Sequence, residues 1–205
     1  MTPPSNKGMR FPPEPLTRAE VGALLGAASR RSNSGVRLRA LVATLYGSGL
    51  RISEALALLP KDVDLDAGTV RVRNGKGGKS RLVGIDPYSA SLIQAWLDRR
   101  AQLGLTHRHP VFASYSKGHV GDLMSPRYVR AALAKLGMKA GIAKRVHPHG
   151  LRHSLAFDMA ETGTPVHSIQ RQLGHASLAI TSRYVDHLRP TDVVQTMRAR
   201  DWQTA

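Results

Sequence analysis

Two guanidiniums, two imidazoles, an ammonium and a phenol stand out in this chain by the company they keep. His149-Gly-Leu-Arg152, Leu173-Gly-His175 and Tyr184 fall in the last third, while Gly49-Leu-Arg51-Ile-Ser-Glu54 and Gly75-Lys76-Gly77 lie far upstream. These residue types suit one task, which is holding a phosphodiester and attacking it with tyrosine. A phenol has a pKa near ~10, so Tyr184 needs an imidazole base or cations that favour the phenolate. Arginine's planar fork donates two parallel hydrogen bonds to phosphate oxygens and keeps its charge. In-line displacement at phosphorus gathers charge on the equatorial oxygens, and two arginines stabilise that charge without a metal. Arg152 follows His149 by three positions, so one helical face presents both. Lys76, on a glycine-rich tip, could protonate the leaving oxygen as general acid. Lys79 competes for that role, and a plain phosphate contact is the simpler role for Lys76.

Each residue alone has a duller reading. A tyrosine on a helix usually packs, a lone arginine usually makes a surface salt bridge, and His153 reads as a hydrogen-bonded core histidine. His147, His149 and His153 raise the question of zinc, because His149 and His153 are spaced i, i+4. No Glu follows His149, the chain has no cysteine, and carboxylates are sparse nearby, so no metal is expected. Gly75-Lys-Gly-Gly-Lys-Ser80 lacks the spacing of a phosphate-binding loop, and no carboxylate cluster suits two-metal nuclease chemistry.

The elements that must position these groups read as mainly α with a small antiparallel β-sheet, an α+β chain. Thr17 is a helix N-cap with Glu20 completing a capping box, followed by the stripe Val21, Leu24, Leu25 and Ala28. A loop at Arg31–Gly35 leads to a second helix with Leu38, Leu41, Val42 and Leu45 inward. Gly47-Ser-Gly49 breaks it and sets Arg51 at the start of a short helix, Ile52–Leu58, ended by Pro60. The period then changes: Thr69–Arg73 and Arg81–Ile85 form a β-hairpin with a glycine-rich tip and positive charge along one face. A short strand is expected at Val111–Ser114, and helices at 88–102, 126–140, 149–162, 165–173, 177–185 and 191–200.

The chain has 205 residues, enough for one ordinary domain, with residues 1–15 reading as a disordered or loosely docked leader and 16–205 as the domain. Lys plus Arg total 30 against 14 Asp plus Glu, for a formal charge of +16, which predicts attraction to polyanions. Arg30, Arg31, Arg37 and Arg39 cluster, as do Arg71, Arg73, Lys76, Lys79 and Arg81, and then Lys135, Lys139, Lys144 and Arg145. As a set they predict a groove that tracks a DNA backbone. With aromatics at only 5% of residues, phosphate contact is a better expectation than base stacking. No segment is long and apolar enough to span a bilayer, no membrane partner is expected, and the lack of cysteine fits a cytosolic protein.

The order of Gly-Leu-Arg-x-Ser-Glu, a Gly-Lys-Gly hairpin, His-x-x-Arg, Leu-Gly-His and a tyrosine nine residues on resembles the catalytic domain of the tyrosine recombinases, the phage integrase family. The resemblance runs from Leu16 to the C-terminus, and the motifs are specific as a set rather than singly. It implies the fold of that domain and site-specific cutting and rejoining of DNA through a 3′-phosphotyrosine link, with no ATP, metal or other cofactor. Carried over, Arg51 and Arg152 clamp the scissile phosphate, His149 assists proton removal, His175 hydrogen-bonds the phosphate, Lys76 is the general acid and Tyr184 attacks. Glu54 matches the acidic residue that supports the first arginine, and His153 is a second supporting residue. Arg71, Arg73, Lys79, Arg81, Lys144 and Arg145 are expected to contact double-stranded DNA, which would place the protein on a bacterial nucleoid.

Relatives usually carry an N-terminal core-binding domain, and here only residues 1–15 precede the matching region, so that domain is expected to be absent. Asp192–Arg198 can form an amphipathic helix with Val193, Val194 and Met197 apolar and Trp202 following. Such a tail implies a homo-oligomer on paired DNA sites. The alternatives are a DNA-binding regulator or remnant catalytic domain without recombination, and a strand transferase like the type IB topoisomerases. A basic RNA- or membrane-binding domain fits less well.

Overall fold

The helix starts are written locally. In a computed structural model, which describes residues 14–73, 80–174 and 198, α1 (Arg18–Ala27) opens with the expected capping box. Thr17 Oγ1 accepts the Glu20 N–H at 3.2 Å, and Glu20 Oε2 accepts the Thr17 N–H at 2.7 Å. A cap contributes about 1 kcal/mol, against about 1.5–3 kcal/mol for burying a leucine-sized side chain. Caps therefore set the helix ends, and burial of Val21, Leu24 and Leu25 holds α1 in place.

The central helix, α2 (Asn33–Gly47), begins inside the expected loop, because Ser32 caps it by accepting the Gly35 N–H. Leu41, Val42 and Leu45 are fully buried in it, while Leu38 is only partly covered. α2 packs on α4 (Pro87–Gln102) and α6 (Pro148–Glu161). The core between them gathers Leu24, Leu50, Ile93, Trp96, Phe112, Leu133 and Leu151. α5 (Pro126–Lys139) closes against α1 and α6, and α7 (Val166–Leu173) packs on α6 through Leu155, Ala156, Ile169 and Leu173.

α3 (Ile52–Leu56) is two residues shorter than its apolar run, and Pro60 starts a 3₁₀ turn, Pro60–Asp62, as well as ending the helix. The sheet has three strands, β1 (Val63–Asp64), β2 (Thr69–Val72) and β3 (Arg81–Gly84), all antiparallel in the order β1-β2-β3. β1 was not expected.

Three expectations are corrected. The hairpin does not carry its charge on one face: Val72 pairs with Arg81 and Arg71 with Leu82. Arg81 therefore shares a face with buried Val70, Val72 and Val83, and Leu82 takes the open face beside Arg71. Val111–Ser114 is not a strand, and only a single bridge, Ala113 to Leu123, forms there. Its carbonyls are claimed by side chains instead: Trp96 Nε1 donates to Val111 O and Arg37 Nη1 to Ala113 O. Nor does the first basic cluster line an open groove. Arg37 and Arg39 are both buried, Arg39 donates to Leu25 O, and the Arg37 guanidinium lies 4.6 Å from the Tyr115 ring centroid. The expected leader lies outside the described residues up to residue 13. The expected helices at 177–185 and 191–200 also lie outside them, apart from residue 198. No described helix is long and apolar enough to cross a membrane.

Candidate active site

The site grows from the break after α2. Gly49 has φ +66, and a Cβ there would stand 2.7 Å from Leu173 Cδ2 and 2.8 Å from Leu155 Cδ2. Only glycine lets the chain turn this tightly against α6 and α7. The turn aims Gly49 O inward, where it accepts from Arg152 Nη1 at 2.5 Å. Arg152 Nη2 donates to Leu173 O at the end of α7. Arg152 is 2% exposed, so its fork ties α6, the Gly49 turn and α7 together.

Arg51 caps α3 from extended backbone, as its position in the sequence predicts. Glu54 Oε2 accepts the Arg51 N–H, and Oε1 accepts from Arg51 Nη1, both at 2.9 Å. Arg51 Nη2 reaches Gly174 O only at 3.4 Å. Glu54 is buried, and Arg81 meets it in a bidentate pair at 2.9 Å and 2.9 Å. Burial alone would raise the Glu54 carboxyl, but bonds from Arg81 and Arg51 outweigh it and hold the group at about 2.

His149 and Arg152 ride on the first turn and a half of α6. His147 caps that helix: its Nδ1 accepts the Gly150 N–H at 3.1 Å, which requires a ring with Nδ1 unprotonated. Burial, then Arg145, holds His147 below the usual imidazole value. His149 is open to solvent on its outer side. Burial of its inner side, then the charges of Arg152, His147 and Arg51, hold it below the usual value too. It is neutral at neutral pH, ready to accept a proton. His149 and His153 meet edge to face, with centroids 4.1 Å apart.

His147→Ala is expected to cost about 1 kcal/mol in urea unfolding at neutral pH, with His147→Ser restoring it. Because the His147 pKa is lowered by folding, the cap is present above the ordinary imidazole value and is lost as pH falls through the lowered one. The wild-type and alanine curves should then converge.

The structure brings together Arg51, Arg152, His149 and Glu54. Lys76, Lys79, His175 and Tyr184 lie outside the described residues, though His175 directly follows Gly174 in sequence. Of the residues expected on DNA, Arg71, Arg73 and Arg145 are exposed. Arg73 pairs with buried Asp62 at 2.5 Å, Lys144 with Glu20 at 2.9 Å, and Arg81 with Glu54. One positioning residue had no signal in the sequence. Gln172 Nε2 donates to Ser48 O and Gly84 O, and its Oε1 accepts the Gly84 N–H, so it pins α7 to both the Gly49 turn and β3.

A mainly helical domain with a three-stranded sheet on one side, and two arginines converging on the end of α7, defines the class. Residues 14–190 match the phage integrase family, and the chain belongs to that family. It is 40% identical over 181 residues to the tyrosine recombinase XerA of Thermococcus kodakarensis, covering 86% of this chain and 61% of the relative. With the tyrosine recombinase XerC of Xanthomonas campestris pv. campestris it shares 39% over 150 residues, covering 73% of this chain and 44% of the relative. The crystal structure of XerA recombinase superposes with a TM-score of 0.75 at 31% identity, covering 95% of this chain and 68% of that one. XerH bound to its difH substrate before cleavage gives a TM-score of 0.74 at 26% identity, covering 91% and 54%. The chain thus spans 61% and 44% of the length of these two recombinase relatives.

Proposed function

We propose that this chain cuts and rejoins DNA at specific sites through a 3′-phosphotyrosine intermediate. The observation that carries the reading is the convergence of Arg51 and Arg152, distant in sequence, on consecutive carbonyls, Gly174 O and Leu173 O. His149 feels the charge of both guanidiniums. A phosphate seated there meets two forks that keep their charge, and an imidazole that is neutral and solvent-facing.

In this reading Tyr184 Oη attacks phosphorus while its proton passes to His149. Negative charge on the non-bridging oxygens is taken by Arg51 and Arg152, with His175 adding a hydrogen bond. Lys76 protonates the departing 5′ oxygen. Reversal of these steps with a different 5′ hydroxyl reseals the strand. The covalent link conserves the phosphodiester's energy, so no ATP is required. The relatives described above are named as recombinases, one a site-specific recombinase bound to its difH substrate, which supports recombination over the regulator and topoisomerase alternatives. Double-stranded DNA is the partner, Arg71 and Arg145 are exposed cations suited to its backbone, and Val193, Val194, Met197 and Trp202 are the residues proposed to dock on a second copy.

The test is a duplex nicked beside the cleavage point, so that the released fragment diffuses away and traps the intermediate. A covalent protein–DNA adduct is expected, with proteolysis tracing the DNA to the peptide holding Tyr184. An adduct on another residue, or none on any site recognised by the chain, overturns the reading.

A further inference from the structure

Arg81 was expected to contact DNA from the hairpin face, but its guanidinium is turned inward and its side chain is 16% exposed. The register across the hairpin tip explains this, because Arg81 lies opposite Val72 and shares its inner face. There it meets both Glu54 oxygens, the same two atoms that hold the Arg51 backbone N–H and Nη1.

The geometry points to a division of labour. A carboxylate facing a single arginine frequently binds it through two parallel N–H bonds. Here Arg81 has taken that bidentate position. Arg51 is left with one side-chain bond to Glu54, and its Nη2 makes only a 3.4 Å approach to Gly174 O, which is at the limit of a hydrogen bond. We propose that Arg81 is a positioning residue: by occupying Glu54, it keeps Arg51 from closing into a bidentate ion pair and leaves the Arg51 Nη2 edge for a phosphate oxygen. It also keeps the local charge positive, since two guanidiniums share one carboxylate.

Two further observations support a built arrangement. Arg81 Nε is buried with no hydrogen-bond partner among the described residues. A native protein rarely leaves such a donor unpaired, and here the end of the fork is committed to Glu54. Gly174, at φ +64, packs close to that guanidinium; a Cβ on it would stand 2.6 Å from Arg81 Nε. The glycine of Leu173-Gly-His175 is thus required both by its backbone and by Arg81. Through these contacts Arg81 joins the strand leading from Lys76, the N-terminus of α3 and the residue before His175.

The proposal rests on the strand-transfer reading only for its consequence, so its test includes a probe independent of DNA cleavage. Inorganic phosphate is titrated into the full chain, and the arginine side-chain N–H resonances are followed by NMR, with Arg51→Lys assigning the Arg51 signal. The wild type is expected to show a phosphate-dependent shift at Arg51. Arg81→Gln should weaken that response about tenfold or more, the worth of one charge-assisted bond. Arg81→Lys should be intermediate, since one amine covers only one Glu54 oxygen. Adduct formation at saturating nicked duplex should fall with phosphate affinity, while duplex affinity and its salt dependence stay as in the wild type. A DNA-contact role predicts the reverse, with the salt slope reduced by about 1.

Wild-type phosphate affinity in folded Arg81→Gln overturns the proposal. Should that variant unfold, unchanged affinity in Arg81→Lys does the same. A wild type that binds phosphate at Arg51 but forms no adduct sinks the strand-transfer reading and leaves the role of Arg81 standing. A wild type that forms the adduct but shows no phosphate response at Arg51 sinks the role of Arg81 and leaves the strand-transfer reading standing.

Discussion

Arg152→Lys is expected to slow covalent adduct formation roughly a hundred- to thousandfold, the usual loss when a preorganised donor to a developing oxyanion is removed. It should also destabilise the fold by about 1–3 kcal/mol, the cost of one buried carbonyl left unsatisfied. Both effects have one origin. Arg152 serves Gly49 O and Leu173 O with two nitrogens of a planar fork, in a pocket that leaves it 2% exposed. A lysine carries the same charge on a single nitrogen and cannot span both acceptors while presenting a donor to phosphate. The charge is kept, so duplex affinity, which comes from many phosphate contacts, should change little. The loss belongs in the rate at saturating DNA. Urea unfolding and single-turnover trapping on the nicked duplex measure the two separately. A lysine variant that forms the adduct within tenfold of the wild-type rate would show that charge alone is needed there, and the fork geometry would lose its role.

What the sequence makes legible is what is local. Thr17 with Glu20 is a signal contained within four residues, and the structure forms that capping box. Arg51 follows a glycine break and starts a helix, which places it at a helix N-terminus before any tertiary contact is known. His149 and Arg152 share a helix face by spacing alone. What fails is what depends on partners far along the chain. Arg37 looks like surface charge until Ala113 O, seventy-six residues away, is found beneath it. Arg39 is likewise drawn inward by Leu25 O. β1 has two residues, too few for any period to show.

The hairpin failed for a subtler reason. Side-chain parity is legible within each strand but not across the tip, because one residue more or less in the turn flips the second strand. Arg81 could have faced either way; the observed register put it on Glu54. Gln172 had no signal at all, since its partners are backbone atoms of Ser48 and Gly84, which any residue type would supply.

Glu54→Gln is the second large effect, and it is expected to cost about 3–5 kcal/mol at pH 7, the range for breaking a buried ion pair from one side. The carboxylate is 5% exposed and answers two arginines. An amide offers one acceptor oxygen and turns an N–H₂ toward a cation. The pH dependence supplies the check. Folding lowers the Glu54 carboxyl to about 2, with burial opposing and the bonds from Arg81 and Arg51 prevailing. A carboxyl depressed on folding stabilises fully above its unfolded pKa, and that stabilisation is lost as pH falls through the folded value. Between about pH 5 and pH 2 the wild type should therefore lose about 3 kcal/mol through this group alone, while Glu54→Gln loses nothing there. Urea unfolding at pH 7 and at pH 3 should show the gap between the two proteins narrowing by about half or more. A gap that stays constant with pH would mean that the amide disrupts packing rather than charge. In that case neither Arg51 nor Arg81 depends on the ionised carboxylate.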